Sequence, residues 1–387
     1  MRDAVIVEAV RTPIGRRNGS LSAVHPVDLS ASVLRSLAAR SGIDPAVVDD
    51  VIWGCVGQVG EQSANIGRNA VLAAGWPESV PGTTVDRQCG SSQQAIHFAA
   101  ATVIAGHADV VVAGGVESMS RVPMGSARAN GPGLPFGDLV AERYDGHEFH
   151  QGRGAEILAA RYDLSRTWLD AYAAGSHERA AAAVDGGRFA AEIAPVALPD
   201  GSGFALDEGV RRGTHVGKLA ELKPAFAADG RMTAGNSSQI SDGSAAVLVT
   251  TSARAAELGL TPLARIHAAT VAGSDPVAML AGPIPATADV LKKAGLALGD
   301  IGAFEVNEAF ASVVGAWLTE TGADPGRVNP NGGAIALGHP LGGSGARLAT
   351  TLLHHMRAEG LRYGLQTMCE AGGLANATIY ENWELRG

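Results

Sequence analysis

The chain has 387 residues, of which 46% are hydrophobic and 18% are charged, so it can bury a large core in two or three domains. Its formal net charge of −9 argues against non-specific binding to nucleic acid or to anionic membranes. No apolar stretch is long enough to span a membrane, and Glu8 interrupts the N-terminal apolar run, which is not typical of a signal peptide. Three cysteines without a C-x-x-C pair predict reduced thiols in a cytoplasmic protein.

Strand and helix patterns alternate along the N-terminal part of the chain. The predicted helices at 65–75 and 91–106 both end on glycine, the residue preferred after a helix C-terminus. Such alternation predicts mostly parallel sheets covered by helices. The predicted elements are strands at 4–10, 51–56, 83–85 and 109–115, and helices at 28–40, 65–75 and 91–106.

The C-terminal part repeats this order of elements with little sequence identity to the first part, which indicates an internal duplication. The predicted elements are strands at 263–273, 301–306 and 327–329, helices at 286–295, 308–322 and 344–360, and a final strand pair at 363–373 and 375–381.

The middle of the chain breaks the alternation. It is first rich in Gly, Pro and Arg and then carries helical segments. We therefore divide the chain into an N-terminal half at 1–118, a loop domain at 119–250 that returns to the first half, and a C-terminal half at 251–387. The inserted segment is interpreted as shaping a substrate site, with a plain structural lid as the alternative.

Cys89 is the strongest candidate for a nucleophile. It lies between a predicted strand and a helix that opens at Gly-Ser-Ser. Unpaired N–H groups and the positive end of the dipole at a helix N-terminus stabilise a thiolate. The alternative is a buried structural cysteine.

His339 lies in the glycine-rich segment NPNGGAIALGHPLGGSGAR, where the backbone can approach a ligand closely and the histidine can accept a proton from Cys89. A turn histidine and a phosphate cradle are the alternatives. The segment lacks the G-K-[ST] ending of a P-loop, and Ala346 breaks the G-x-S-x-G pattern of a hydrolase elbow.

Two further polar side chains follow predicted strands. Cys369 precedes a Gly-Gly pair and can serve as a general acid or base, whereas Asn307 can equally be the N-cap of the next helix. His147 and His150 have no evident third ligand, so we expect no metal site.

The segments VDRQCGSSQQA, NEAFA, GGAIALGHPLGGSGAR and CEAGG together resemble the thiolase family, and the resemblance spans nearly the whole chain. It implies the thiolase fold, an α/β architecture in which two similar α/β/α halves form a five-layered αβαβα core with an inserted loop domain. It also implies a homodimer or homotetramer. Gln93-Gln94 and the C-terminal segment are similar to bacterial degradative or steroid-type members.

The resemblance also implies roles for individual residues. Cys89 matches the acylated nucleophile and His339 the histidine that activates it. Cys369 matches the acid/base cysteine, and Asn307 matches the asparagine that holds a water for an oxyanion hole with His339. The backbone N–H groups of Cys89 and Ala371 match the second oxyanion hole.

The sequence departs from the family pattern in two places. Ala371 stands where the family usually has Gly, so its backbone conformation must suit a β-carbon. Ser92 also replaces the commoner Gly. Both departures concern geometry and substrate choice, and neither changes the expected reaction class.

In the loop domain, His150, Arg211, Ala234 and Ser238 match positions that contact CoA. The expected function is thiolytic cleavage of 3-ketoacyl-CoA by CoA through an acyl-Cys89 intermediate, with acyl-CoA and CoA as the only partners and no cofactor. Alternatives are an acetyl-CoA acetyltransferase that forms acetoacetyl-CoA, a ketoacyl synthase and a non-catalytic acyl-CoA carrier. A second thiol disfavours the synthase, and the set of two thiols and a histidine disfavours the carrier.

Overall fold

A computed structural model describes residues 2–129 and 131–386. The strands are β1 Val5–Arg11, β2 Gly15–Arg16, β3 Asp50–Gly54, β4 Thr83–Val85, β5 Val110–Ser118, β6 Val196–Ala197, β7 Gly203–Phe204, β8 Ser241–Thr250, β9 Ala264–Gly273, β10 Ala303–Val306, β11 Tyr363–Glu370 and β12 Leu374–Asn382. The α-helices are α1 Pro26–Ser41, α2 Ile66–Ala73, α3 Ser91–Ala105, α4 Ser126–Ala129, α5 Asp138–Arg143, α6 Gln151–Arg161, α7 Arg166–Asp185, α8 Val216–Ala220, α9 Ser252–Glu257, α10 Pro283–Ala294, α11 Ala311–Thr321 and α12 Ser344–Ala358.

The predicted helices of the two halves are present, and their ends follow local signals in the sequence. Helix α1 begins after His25, whose ring accepts a hydrogen bond from the Val27 N–H, and has Pro26 in its first turn. It ends at Gly42, which adopts the left-handed conformation that glycine tolerates best. Gly106 and Gly295 end α3 and α10 in the same way.

The two halves share one strand order. In the first half the order is β4-β3-β5-β8-β1, and in the second half it is β10-β11-β12-β9, with β1 and β9 paired where the halves meet. Each half therefore contains a parallel pair beside an antiparallel pair in corresponding places. The duplication that the element order predicted is visible in the sheet topology.

The prediction of mostly parallel sheets is wrong. Only β3–β4, β3–β5 and β10–β11 pair in parallel among the described strands, whereas β8 pairs antiparallel with both β1 and β5. Strand β12 follows β11 through a tight turn in which Gly372 and Gly373 have positive φ, and such a turn joins antiparallel neighbours.

Strand β8 is the part of the 119–250 segment that returns to the first half, where all ten of its residues are buried. The predicted strand at 327–329 is instead a short 3₁₀ turn at Pro325–Arg327 followed by a single bridge between Val328 and Phe304.

The helices complete five layers, as expected from the resemblance. Helices α1 and α2 cover the outer face of the first half, and α10 packs on the outer face of the second half. Helices α3 and α12 pack against each other in the middle, and α12 contacts strands of both halves. Within the described part of the chain, no helix has the length and apolar character needed to cross a membrane.

The described residues between β5 and β8 form five helices and the small β6–β7 hairpin, and helices α6 and α7 pack against α11 of the second half. This contact brings the inserted segment to the carboxyl ends of β10 and β11, where the candidate residues lie. The division of the chain at residues 118 and 250 remains a prediction.

Candidate active site

Cys89 lies in a tight turn between β4 and α3. The preceding residue, Gln88, has a φ of 49°, a left-handed conformation that is uncommon for a side chain of this size. The turn is held by the Gln88 N–H, which donates to Asp86 Oδ1 at 2.6 Å, and by the Ser91 hydroxyl, which donates to the Gln88 carbonyl at 2.6 Å. Cys89 is thereby fixed directly before the first turn of α3.

His339 is placed by the glycine-rich segment that leads into α12. Its N–H donates to the Gln239 carbonyl at 3.1 Å, which ties the segment to the loop domain. A Cβ on Gly345 would lie 2.3 Å from the Gln93 backbone nitrogen, so only glycine lets α12 approach α3 this closely. Ser92 links the two helices at the same point, because its Oγ accepts a hydrogen bond from the Ala346 N–H at 2.9 Å.

The hydrogen bonds around His339 define its tautomer. Ser344 Oγ donates its only hydrogen to the Pro340 carbonyl at 2.8 Å, so it must accept from His339 Nδ1, which lies 2.6 Å away. The other nitrogen, Nε2, is then unprotonated and lies 3.4 Å from Asn307 Nδ2. Burial and the charge of Arg347 lower the pKa of His339 to about 3, so the ring is neutral at neutral pH and Nε2 carries a free lone pair.

Asn307 follows β10 and is buried beside His339. The alternative interpretation as a helix N-cap is wrong, because α11 begins only at Ala311 with Phe310 in the cap position. The amide oxygen of Asn307 has no hydrogen-bond partner in the described structure, whereas its nitrogen faces His339. Asn307 thus presents one buried polar group that is available to a ligand or a water.

The two thiols lie near each other in the interior. Burial, Cys89 and Glu370 raise the pKa of the Cys369 thiol well above its ordinary value. Burial is the largest cause that raises the pKa of Cys89, and a negative charge on Glu370 would raise it further. Burial therefore opposes a resting thiolate at Cys89, although Cys89 directly precedes α3 as expected. For a neutral thiol and a neutral imidazole, proton transfer accompanies attack.

The Ala371 β-carbon is accommodated without backbone strain. Ala371 is not among the described residues with positive φ, and the left-handed positions of this turn fall on Gly372 and Gly373. Alanine can therefore replace glycine here and keep its N–H available. Whether that N–H serves an oxyanion hole remains a prediction.

A cavity of about 590 Å³ reaches His339 from the surface. All four residues predicted to contact CoA line it: His150, Arg211, Ala234 and Ser238. Cys89, Asn307, Cys369 and Ala371 do not line it.

Cys89 lies behind the cavity wall, because it packs with Met119 and Leu341, which both line the cavity. Ser238 is fixed by its N–H, which donates to the Ala309 carbonyl at 2.9 Å in the loop that follows Asn307. The cavity residue Ser238 is therefore tied to the loop that also carries Asn307.

Arg16 and Arg17, which the sequence motifs do not single out, line the same cavity. They lie on and just after β2, where Arg16 pairs with Ser241 at the start of β8. Neither side chain forms an ion pair within the described part of the chain. The adjacent basic pair in the segment VRTPIGRRNG was the available signal, but a surface arginine pair is common without function.

Among residues 2–129 and 131–386, no three His, Cys, Asp or Glu side chains are grouped so that they could hold a metal ion. His150 instead accepts the Gly152 N–H at 3.2 Å, which makes it the N-cap of α6 as well as a cavity residue.

Comparisons with known proteins match this geometry. The family model for the thiolase N-terminal domain covers residues 4–253, and the model for the thiolase C-terminal domain covers residues 260–382. The chain belongs to the thiolase family. The expectations of a thiolase fold and of an acyltransferase are confirmed at this level.

Individual relatives align along almost the whole chain. A steroid 3-ketoacyl-CoA thiolase of Mycobacterium tuberculosis is 52% identical, with 98% of this chain and 94% of that protein covered. A 3-ketoacyl-CoA thiolase of Pectobacterium carotovorum is 47% identical over 98% of this chain and 100% of that protein. The crystal structure of the Bacillus anthracis acetyl-CoA acetyltransferase superimposes with a TM-score of 0.91 at 41% identity, and 99% of both chains is covered.

Proposed function

We propose that this protein catalyses the reversible thiolytic cleavage of 3-ketoacyl-CoA by CoA, with Cys89 as the acylated nucleophile. The observation that carries the proposal is that His339, with Nε2 unprotonated, lines a cavity of about 590 Å³ whose wall residues Met119 and Leu341 pack with the buried thiol of Cys89.

In the first half-reaction, the Cys89 sulfur attacks the 3-keto carbon while its proton passes to His339 Nε2. The C2–C3 bond breaks, the acyl group stays on Cys89 and an acetyl-CoA enolate leaves. Cys369 protonates the enolate at C2, so one proton moves at sulfur and a different one at carbon. Two acid/base groups are needed because these protons move at different atoms.

In the second half-reaction, the CoA thiol gives its proton to the Cys369 thiolate and takes the acyl group from Cys89, whose sulfur regains its proton from His339. Each tetrahedral oxyanion requires aimed donors, and the loss of one typically slows such a reaction roughly 10²–10³-fold. We assign one donor set to His339 and a water held by Asn307. The other set is the backbone N–H groups of Cys89 and Ala371.

CoA is proposed to enter through the cavity lined by His150, Arg211, Ala234 and Ser238. Arg16 and Arg17 add positive charge to this cavity, which suits the phosphate groups of CoA. CoA acts here as a substrate, and no other cofactor or metal is invoked.

For the acyl chain, degradation of steroid-type or fatty 3-ketoacyl-CoA is favoured by the names of the two relatives at 52% and 47% identity. Synthesis of acetoacetyl-CoA from two acetyl-CoA molecules is the second candidate, since a solved acetyl-CoA acetyltransferase is 41% identical. We further propose a cytoplasmic location, which is consistent with three free and buried cysteines. A homodimer or homotetramer is proposed from the family resemblance alone.

The test is a thiolysis assay that follows the loss of 3-ketoacyl-CoA enolate absorbance after CoA is added. Substrates should include acetoacetyl-CoA, longer straight chains and a CoA ester with a steroid side chain. We expect the highest kcat/KM with a substrate longer than acetoacetyl-CoA. A preference for acetoacetyl-CoA would support the second candidate, and no turnover with any substrate would contradict the proposal.

A further inference from the structure

Glu370 is a buried carboxyl group that the proposed mechanism does not use. It directly follows Cys369 on β11 and is 0% exposed. Neither of its carboxylate oxygens has a hydrogen-bond partner among the described residues. An ionised carboxylate in such a place would be strongly unfavourable, because it loses hydration and gains no donors.

A second unpaired acceptor faces Glu370 across the turn that holds Cys89. Around the point that a Cβ on Gly90 would occupy, Glu370 Oε1 lies at 1.8 Å and Asn376 Oδ1 at 2.2 Å. Asn376 uses its amide nitrogen to donate to Gln94 Oε1 at 3.2 Å, which leaves Oδ1 without a donor. Two acceptors in this position repel each other unless one carries a proton, and only Glu370 can.

The charged groups around Glu370 do not compensate for its burial. From the turn before α3, Arg87 lowers the pKa of Glu370 and Asp86 raises it, and Arg87 forms no ion pair with it in the described structure. Strand β12 contributes only the amide described above. Burial is the largest cause, and the pKa of Glu370 rises to about 9. The remaining titratable neighbours are the thiols of Cys89 and Cys369, whose own pKa values the charge of Glu370 would raise.

The first half of the molecule offers an internal comparison. Glu117 lies near the end of β5, which corresponds to β11, and is also buried. Burial raises the pKa of Glu117 as well, but its carboxylate accepts four hydrogen bonds at 2.6–3.0 Å, which favour the ionised form and which Glu370 lacks. The donors are the N–H groups of Val56, Gly57 and Gly342 and the side chain of Gln62.

We propose that Glu370 is a positioning residue that works as a neutral carboxylic acid, whose proton bonds to Asn376 Oδ1 and supports the turn at Gly90 beneath Cys89. In this form it keeps a negative charge away from two sulfurs that must themselves become negative. The inference rests on the proposed role of Cys89 as the nucleophile.

The experiment compares two isosteric substitutions, Glu370→Gln and Glu117→Gln. A glutamine at position 370 can donate to Asn376 Oδ1 as the acid does, so we expect kcat/KM at pH 7 to stay within about threefold of wild type. Glu117→Gln places an amide group against several N–H donors and should lower kcat/KM at least about tenfold. Glu370→Leu, which removes the hydrogen bond, should also lower it about tenfold.

The pH profile distinguishes this role from a merely structural one. Iodoacetamide is added to the folded protein, and alkylation of Cys89 is followed by mass spectrometry of the peptide that contains it. In the wild type the alkylation rate should be suppressed above about pH 9, where Glu370 ionises. Glu370→Gln should remove that suppression, and the alkaline limb of kcat/KM should shift upward in the same way. The alkylation rate, unlike kcat/KM, can be measured without thiolase turnover.

The pH dependence of stability gives a second test of the protonation state of Glu370. The pKa of Glu370 in the folded protein is raised above its ordinary value of 4.5, so its contribution to stability is fully present below that value. The contribution is then lost as the pH rises towards about 9. The Tm of Glu370→Gln relative to wild type should therefore increase between pH 5 and pH 8.

An ionised Glu370 that accepts from a reoriented Asn376 amide predicts the opposite results. Glu370→Gln would then lose at least about tenfold in kcat/KM at pH 7, with no pH-dependent gain in Tm, and the proposal would be overturned. Absence of thiolysis in the wild type, combined with the expected alkylation and Tm profiles, would contradict the proposed function and leave the state of Glu370 supported.

Discussion

The two halves of the molecule place different chemistry at the same structural position. Helix α3 lies between β4 and β5, and α12 lies between the Val328 bridge and β11, so the two helices correspond. The residue Cys89 precedes the first of these helices and His339 precedes the second. Because α3 and α12 cross at Gly345 and Gln93, the duplication places Cys89 and His339 on the segments that lead into two packed helices.

The segments that lead into these two helices differ in length and in the contacts that hold them. The turn before α3 spans only 86–90 and holds Cys89 through local hydrogen bonds. The segment before α12 spans 329–343 and is fixed by the loop domain and by Ser344. Duplication thus provides the framework, and the entering segments provide the reactive groups.

The largest loss of activity should follow removal of the Cys89 thiol, the proposed nucleophile of the first half. Cys89→Ala should lower kcat/KM at least about 10⁴-fold, as expected for loss of a covalent nucleophile. CoA affinity should be unchanged, because the cavity residues remain in place. Steady-state thiolysis and CoA binding by calorimetry measure the two quantities, and substantial residual turnover would remove Cys89 from the mechanism.

Cys369→Ser should separate the half-reactions. Serine keeps the approximate size but is a poor acid/base group, so thiolysis, condensation and C2 proton exchange should slow roughly 10²–10⁴-fold. Acetylation by acetyl-CoA and label exchange with free CoA should persist, since they need only Cys89 and His339. If acetylation fell equally, Cys369 would have a structural role, and near wild-type thiolysis would assign the carbon proton to another residue.

A smaller effect is expected when the tautomer of His339 loses its support. Ser344→Ala removes the acceptor for His339 Nδ1–H, and kcat/KM should fall about tenfold with the loss of one hydrogen bond. Ser312→Ala is the matched control, because its buried hydroxyl on α11 has no partner in the described structure. Equal losses in both variants would show that Ser344 acts only through packing.

Ala371→Gly should have the smallest effect. The backbone N–H is kept and Ala371 has no positive φ, so activity should change by less than a factor of about three, while added flexibility lowers stability by about 0.5–1 kcal/mol. Kinetics and urea unfolding measure both effects. A gain of tenfold or more would mean that the β-carbon restricts the second oxyanion hole.

Much of the framework could be predicted from the sequence. Helix ends at Gly42, Gly106 and Gly295 and the runs that form β1 and β5 are encoded locally. The motif resemblance carried the fold and the family, and the comparisons confirm both. The site residues that it implied lie beside the cavity or line it, and their roles remain proposals.

The features that were missed depend on contacts between distant segments. Strand β8 was not predicted as an element, and its apolar run does not reveal that it lies between β1 and β5. The pKa of Cys89 is set by burial, which local helix geometry could not show. The absence of donors around Glu370, in contrast to Glu117, has no counterpart in sequence pattern.

The most direct test is intact-protein mass spectrometry after acetyl-CoA is added in the absence of a second substrate. The account predicts a mass increase of one acetyl group on the wild type and on Cys369→Ser, located by peptide mapping at Cys89, and no increase on Cys89→Ala. The label should be lost when free CoA is added. Acetylation at another residue, or equal acetylation of Cys89→Ala, would contradict the account.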